Sequence, residues 1–88
     1  MSVSEARSEV IRALAELRRR DPSEIEAAAQ AAGDECPYDS VWLVKAGVRA
    51  ARRLGVKLKP KAGDAYAFKS IDALASYIQQ LPPVQKAA

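Results

Sequence analysis

Residues 39–54 read DSVWLVKAGVRAARRL, and their apolar and charged side chains separate with the period of an α-helix. Two opposite arcs result, which predicts a helix from about Ser40 to Leu54, ended by Gly55. Gly47 lowers helix propensity by about 1 kcal/mol, so it predicts a close approach between helices. The apolar arc comprises Val41, Leu43, Val44, Gly47, Val48, Ala51 and Leu54, and the opposite arc comprises Trp42, Lys45, Arg49, Arg52 and Arg53.

The chain before this segment predicts two more helices. Ser2 and Glu5 fit a capping box, and apolar residues then recur every three or four positions to about Arg19. A proline in the first helical position opens the second helix, Pro22–Ala32, and Gly33 is a typical C-terminal cap.

The chain after the third helix begins with an extended segment. Val56 and Leu58 are expected to face inward there. Residues 62–69 have room for one short helical turn, on which Tyr66 and Phe68 are expected to fill the core.

A last helix completes an all-α bundle of three to four helices. Ser70 is its expected cap, and it cannot extend past Leu81 because two prolines follow. We therefore expect one domain over residues 1–82 and a disordered tail over residues 83–88.

The composition fits one small helical domain. The chain has 88 residues, of which 49% are hydrophobic and 6% aromatic, a mixture that favours helices over a β-sandwich. One cysteine, no long apolar run and the early Glu5 and Glu9 predict a cytoplasmic monomer without a signal peptide. Because histidine is absent and the carboxylates are scattered, we expect no catalytic residue, no metal site and no enzyme activity.

The charge is distributed unevenly along the chain. The net charge is +3, but the segment from Val41 to Ala62 contains no acidic residue. This half of the chain is therefore strongly basic. Its cations are Lys45, Arg49, Arg52, Arg53, Lys57, Lys59 and Lys61.

Three motifs together resemble the acyl carrier protein family. Asp39-Ser40-Val41 stands at the start of a helix, and Gly55-Val56-Lys57-Leu58-Lys59-Pro60 follows at the family's spacing. Ser70-Ile71-Asp72-Ala73-Leu74-Ala75-Ser76-Tyr77-Ile78 matches the family's last helix. The resemblance covers nearly all of residues 3–81 and implies an acyl-carrier-type bundle with an extra helix, Pro22–Ala32, in its first loop.

The resemblance implies a covalent 4'-phosphopantetheine arm on Ser40, transferred from coenzyme A by a phosphopantetheinyl transferase that recognises Asp39 and Val41. The thiol of the arm would hold an acyl, aminoacyl or polyketide intermediate as a thioester. Such a carrier serves lipid or secondary-metabolite biosynthesis. A phosphate on Ser40 would lie at the positive end of a helix, which agrees with this role.

The chain departs from the family in the charge of its recognition helix. That helix is normally acidic, whereas here it is basic, so we expect a specialised stand-alone carrier whose partner enzymes present acidic docking surfaces. Cys36 occupies the place of a core-facing leucine and is expected to be a small buried apolar residue. The expected docking residues are Trp42, Lys45, Arg49, Arg52 and Arg53.

Alternatives remain for the protein and for its residues. It could be a carrier-like protein that stays unmodified and acts in interaction or regulation, or a basic helical module that binds nucleic acid. The second is disfavoured because no helix-turn-helix signal and few aromatic residues are present. Ser40 could be a plain helix cap, and Trp42 could pack against the first loop or the Arg49 stem instead of a partner.

Overall fold

A computed structural model describes residues 2–32, 38–59 and 66–84 of the protein. They form an all-α bundle, as the sequence predicts. No helix in these ranges is both long and apolar enough to pass through a membrane. The four helices are α1 (Val3–Arg18), α2 (Pro22–Ala32), α3 (Ser40–Leu54) and α4 (Ile71–Gln79).

Side-chain caps set where the helices begin. The Ser2 hydroxyl accepts a hydrogen bond from the Glu5 backbone N–H (3.1 Å) at the start of α1. At α4, the Ser70 hydroxyl accepts from the Ala73 N–H (3.0 Å). These contacts confirm the two caps expected at Ser2 and Ser70.

Glycine and arginine residues in the left-handed region end two of the helices. Gly55 ends α3 with φ 73°, as expected, and its N–H bonds back to the last turn. Arg19 ends α1 with φ 53°, a conformation that glycine would adopt with less strain. The cap expected at Gly33 lies outside the described residues.

Helix α1 is the centre of the bundle, since α2, α3 and α4 all pack against it. It packs against α3, on which Ala46 and Ala50 are fully buried. A Cβ built on Gly47 would lie 3.1 Å from Leu74 Cδ1 and 3.3 Å from Leu58 Cδ2, so this glycine permits a close approach, as predicted. The largest fully buried side chains are Val10, Leu14, Ile25, Leu43, Leu74 and Ile78.

A charged cluster holds the extra helix α2 in place. The Arg7 guanidinium on α1 donates to both Glu26 carboxylate oxygens on α2 (2.8 and 2.7 Å). Its Nε donates to Asp72 Oδ1 at the start of α4 (2.7 Å). These hydrogen bonds, that to Glu26 first, raise the pKa of Arg7 above its ordinary value. One arginine therefore links three helices.

The segment after α3 pairs with the chain after α4. The Lys57 N–H donates to the Pro82 carbonyl (3.0 Å), and the Val84 N–H donates to the Gly55 carbonyl (2.8 Å). Pro83 faces Val56 in an isolated antiparallel bridge. Residues 83 and 84 were expected to begin a disordered tail, but Val84 is hydrogen-bonded to this segment and Pro83 is bridged to Val56. Residues 85–88 lie outside the described residues.

Two apolar side chains that the sequence placed inward are exposed. Val41 is 59% exposed because the first turn of α3 carries it to the edge of the apolar arc. Tyr66 is 58% exposed and meets Tyr77 edge-on, with 6.2 Å between ring centroids. Phe68, in contrast, is buried as expected. Cys36, Pro60 and Lys61 lie outside the described residues.

Candidate functional site

Ser40 is the first residue of α3, and its side chain is exposed. The cap of this helix is Asp39, whose Oδ1 accepts from the Trp42 backbone N–H (3.1 Å). The Ser40 hydroxyl makes no hydrogen bond to any other residue of the described chain. The alternative in which Ser40 serves as the helix cap is therefore wrong, because Asp39 performs that role.

The start of α2 gives an instructive contrast. The Ser23 hydroxyl donates to Asp21 Oδ1 (2.7 Å), and the Ser23 N–H donates to the same oxygen (2.9 Å). The backbone and side-chain hydrogen bonds from Ser23 lower the pKa of Asp21. The hydroxyl of Ser23 is hydrogen-bonded within its own helix start, whereas that of Ser40 makes no hydrogen bond within the described residues.

Cations contact the aromatic ring that lies two residues after Ser40. The Arg18 guanidinium carbon lies 4.9 Å from the centroid of a Trp42 ring and 5.2 Å from that of Tyr38. Lys45 Nζ lies 5.3 Å from the Trp42 centroid. Trp42 is half-buried and packs against the core, and Arg18 and Lys45 contact its ring.

Two of the expected docking cations are paired within the protein. Arg49 Nη1 lies 3.3 Å from Glu16 Oε1 on α1, and Arg53 donates to the same oxygen. Arg53 also lies 3.9 Å from Glu9. The hydrogen bond from Arg53, and a second from Arg49, lower the pKa of Glu16. The charge of this part of α3 is therefore partly neutralised.

The remaining cations of this region border an apolar depression. One open depression of about 540 Å³ runs along α3 past Val44 and Val48, and a second of about 230 Å³ lies between Val48 and the segment after α3. Val48 and Arg52 line both depressions, so the two adjoin at these side chains. We call this surface the valine groove. Its floor includes Val44, Val48, Val56 and Leu58, and its rim includes the cations Lys45, Arg52, Lys57 and Lys59. Arg49 and Arg53, which are paired with Glu16, also line the larger depression.

Sequence reasoning missed Glu16, Arg18 and the groove itself. Glu16 is distant in sequence from its partners on α3, so only the packing of α1 on α3 reveals the pair. Val44 and Val48 were expected in the core, but both are only half-buried. The signal available in the sequence was their position at the border between the apolar and the cationic arc.

The expected attachment residue, Ser40, and the expected transferase-recognition residues, Asp39 and Val41, thus lie together at one exposed helix start, with the expected docking residues along the same helix. Among the described residues, no three His, Cys, Asp or Glu side chains are grouped so that they could hold a metal ion. A scan against protein-family models finds no match to this chain, and searches of curated proteins and of solved structures find none either.

Proposed function

We propose that the protein is a carrier that holds an acyl, aminoacyl or polyketide intermediate as a thioester on a phosphopantetheine arm attached to Ser40. The observation that carries the proposal is the unused, exposed hydroxyl of Ser40 at the start of a helix that Asp39 caps. An attachment residue must be reachable by a transferase and must not be needed by its own fold. Ser40 meets both conditions.

The start of α3 also suits the phosphodiester that joins such an arm to the protein. The first backbone N–H groups of an α-helix lack helical partners, and the helix dipole places partial positive charge there. The first turn of the 15-residue helix α3 itself contains no acidic residue, and the Asp39 carboxylate at the cap accepts from one of its N–H groups, that of Trp42. The protein would supply a rigid attachment point, and the thiol of the arm would carry the cargo.

The basic side of α3 then determines which enzymes the carrier meets. Lys45 and Arg52 have no acidic partner in the described part of the chain, whereas Arg49 and Arg53 share Glu16. Partners with acidic surfaces would associate faster than partners with basic ones. A housekeeping fatty-acid synthase, whose enzymes bind acidic carriers, is expected to turn this carrier over poorly, and efficient chain elongation would contradict this specificity.

Intact-mass measurement tests the attachment directly. The purified chain is incubated with coenzyme A and a panel of broad-specificity phosphopantetheinyl transferases, including ones not adapted to acidic carriers. We expect a gain of one phosphopantetheine that Ser40→Ala abolishes. Ser23→Ala is the matched control, since it removes another exposed serine at a helix start and is expected to leave the modification unchanged.

Failure of all transferases, while a known carrier in the same reaction is modified, would refute the carrier proposal. The second candidate is then an interaction protein that works without the arm, which the unpaired cations of the valine groove favour. Nucleic-acid binding is less favoured, because Glu16 already engages two of the arginines that phosphates would need.

A further inference from the structure

We infer that the valine groove binds an amphipathic helix of another protein, one whose apolar stripe is flanked by Asp and Glu side chains. The inference concerns the side of α3 and not the hydroxyl of Ser40. It holds whether or not Ser40 carries an arm.

Most of the groove floor keeps apolar surface exposed in the described part of the chain, whereas Val56 is buried (7% exposed). Val44 and Val48 lie one turn apart on α3 and are half-exposed, and Leu58 is half-exposed beside them. Val84, at the far end, is 50% exposed. Contiguous apolar surface bordered by charged residues is typical of a protein-binding site.

The rim specifies the charge of the partner. Arg52 lies on the α3 side of the smaller depression, and Lys57 and Lys59 lie on the segment opposite. Lys45 continues the rim beside Val44. No acidic residue occurs between positions 41 and 62, so these cations gain no partner from their own part of the chain. Carboxylates on both sides of an incoming apolar stripe would complement them.

The length of the groove fits a short helix. Residues 44–52 of α3 span about 12 Å at about 1.5 Å per residue. A partner helix of two to three turns covers this distance and presents apolar anchors at positions i, i+3 or i+4, and i+7. Small floor residues such as Val48 leave room for larger anchors such as leucine.

Two other classes of partner fit the surface less well. A membrane-binding face usually offers large apolar side chains to the bilayer, but Trp42 is half-buried and held by Arg18 and Lys45. Nucleic acid would use the cations and leave the apolar floor unused. Single-stranded nucleic acid would also need exposed aromatic rings, which do not line the groove.

A displayed library of helical peptides tests the inference. Every peptide keeps leucines at the anchor positions, and the flanking positions vary among Glu, Gln and Lys. The target is the full chain carrying Ser40→Ala, so that no arm is present. We expect selection to enrich Glu at the flanks. The best peptide is expected to shift backbone NMR signals of residues 44–52 and 56–59.

Charge reversal on the rim supplies the second half of the test. Against the double variant Arg52→Glu, Lys57→Glu, selection is expected to enrich Lys instead, and the original peptide to lose at least about tenfold in affinity by calorimetry. The matched control is Arg12→Glu, Lys69→Glu, which changes the same net charge at exposed positions that do not line the groove. It is expected to keep the original preference.

Several results would overturn the inference. These are no enrichment, enrichment of Gln or Lys, equal effects of the two double variants, or NMR shifts confined to another surface. Tighter binding of a short DNA duplex or of phosphatidylglycerol vesicles, lost in the Arg52, Lys57 variant, would reassign the surface to that partner. Since the target lacks the Ser40 hydroxyl, none of these results bears on the attachment of an arm.

Discussion

The two sides of α3 are constrained by different physical properties, packing on one side and charge and exposure on the other. The side that meets α1 and α4 carries small residues, of which Ala46 and Ala50 are fully buried and Gly47 is in close contact with Leu74. The opposite side carries exposed cations beside half-exposed valines, Val44 and Val48. Volume decides which residues fit on the first side, whereas charge and accessibility decide on the second.

This difference indicates at which positions of α3 recognition can be altered without loss of the fold. Substitutions on the buried side act on the free energy of unfolding through cavities or clashes. Substitutions on the exposed side change charge and recognition but little of the packing.

Leu43→Ala is expected to have the largest effect. Leu43 is fully buried, so its truncation lowers the free energy of unfolding by about 3 kcal/mol through lost burial and a cavity. Val41→Ala, at a 59% exposed position of the same helix, is expected to change it by less than about 0.5 kcal/mol. Urea unfolding followed by circular dichroism measures both, and similar losses would remove the distinction between the sides.

Gly47→Val tests whether the close approach of α3 to α4 is required. Its new Cβ would lie 3.1 Å from Leu74 Cδ1, and two further methyl groups would have to fit beside it. We expect a loss of about 2 kcal/mol from overpacking. Gly47→Ala is expected to cost less, because a gain of about 1 kcal/mol in helix propensity offsets the crowding. A Gly47→Val variant as stable as the parent would show that this contact is loose.

Asp39→Ala tests the capping contact at the exposed start of α3. Loss of the hydrogen bond to the Trp42 N–H is expected to lower the free energy of unfolding by about 1 kcal/mol. Ser40→Ala is expected to change it by less than about 0.5 kcal/mol, because its hydroxyl makes no hydrogen bond within the described residues. If Ser40→Ala were the more damaging change in urea unfolding, Ser40 would be the structural residue.

Glu16→Gln tests the charged contact between α1 and the exposed side. Arg53, and then Arg49, hold the pKa of Glu16 below its ordinary value of 4.5. The unfolded chain therefore binds this proton first, so the contribution is present above about pH 4.5 and is lost as the pH falls through the lower, folded pKa. The variant is expected to flatten the acid part of the stability profile.

Arg53→Gln provides the partner control for Glu16. It removes the hydrogen bond that contributes most to the lowered pKa of Glu16. The variant is therefore expected to flatten the same acid part of the profile of stability against pH. Combining it with Glu16→Gln is expected to add little, since both changes break one contact. Additive losses would mean that the two residues act independently.

Local signals account for how much of the fold was predictable. The bounds of α2 and α3 were predicted to the residue, because Pro22 and Gly55 mark helix ends through their own backbone chemistry. Helix α1 ends one residue before the predicted Arg19. The last helix stops at Gln79, before the prolines that were expected to limit it.

Contacts between distant segments were not predictable in the same way. Glu16 meets Arg53 across 37 positions of sequence, and periodicity contains no information about such a pair. The exposure of Val41 was missed because its position at the edge of the apolar arc does not by itself separate a buried residue from an exposed one. At the site, the exposure of Ser40 was expected. The role of Asp39 as the cap of α3 was not, and the hydrogen bond from the Trp42 N–H to Asp39 Oδ1 identifies it.

The contact of Arg18 and Lys45 with Trp42 has a practical consequence. Trp42 is the only tryptophan of the chain, and it lies two residues from Ser40. Its fluorescence therefore comes from a single indole. The wavelength and intensity of indole fluorescence respond to nearby charge and to water. An arm attached at Ser40, or a ligand that displaces Lys45, is expected to change this fluorescence. Either event can therefore be followed in the unlabelled protein.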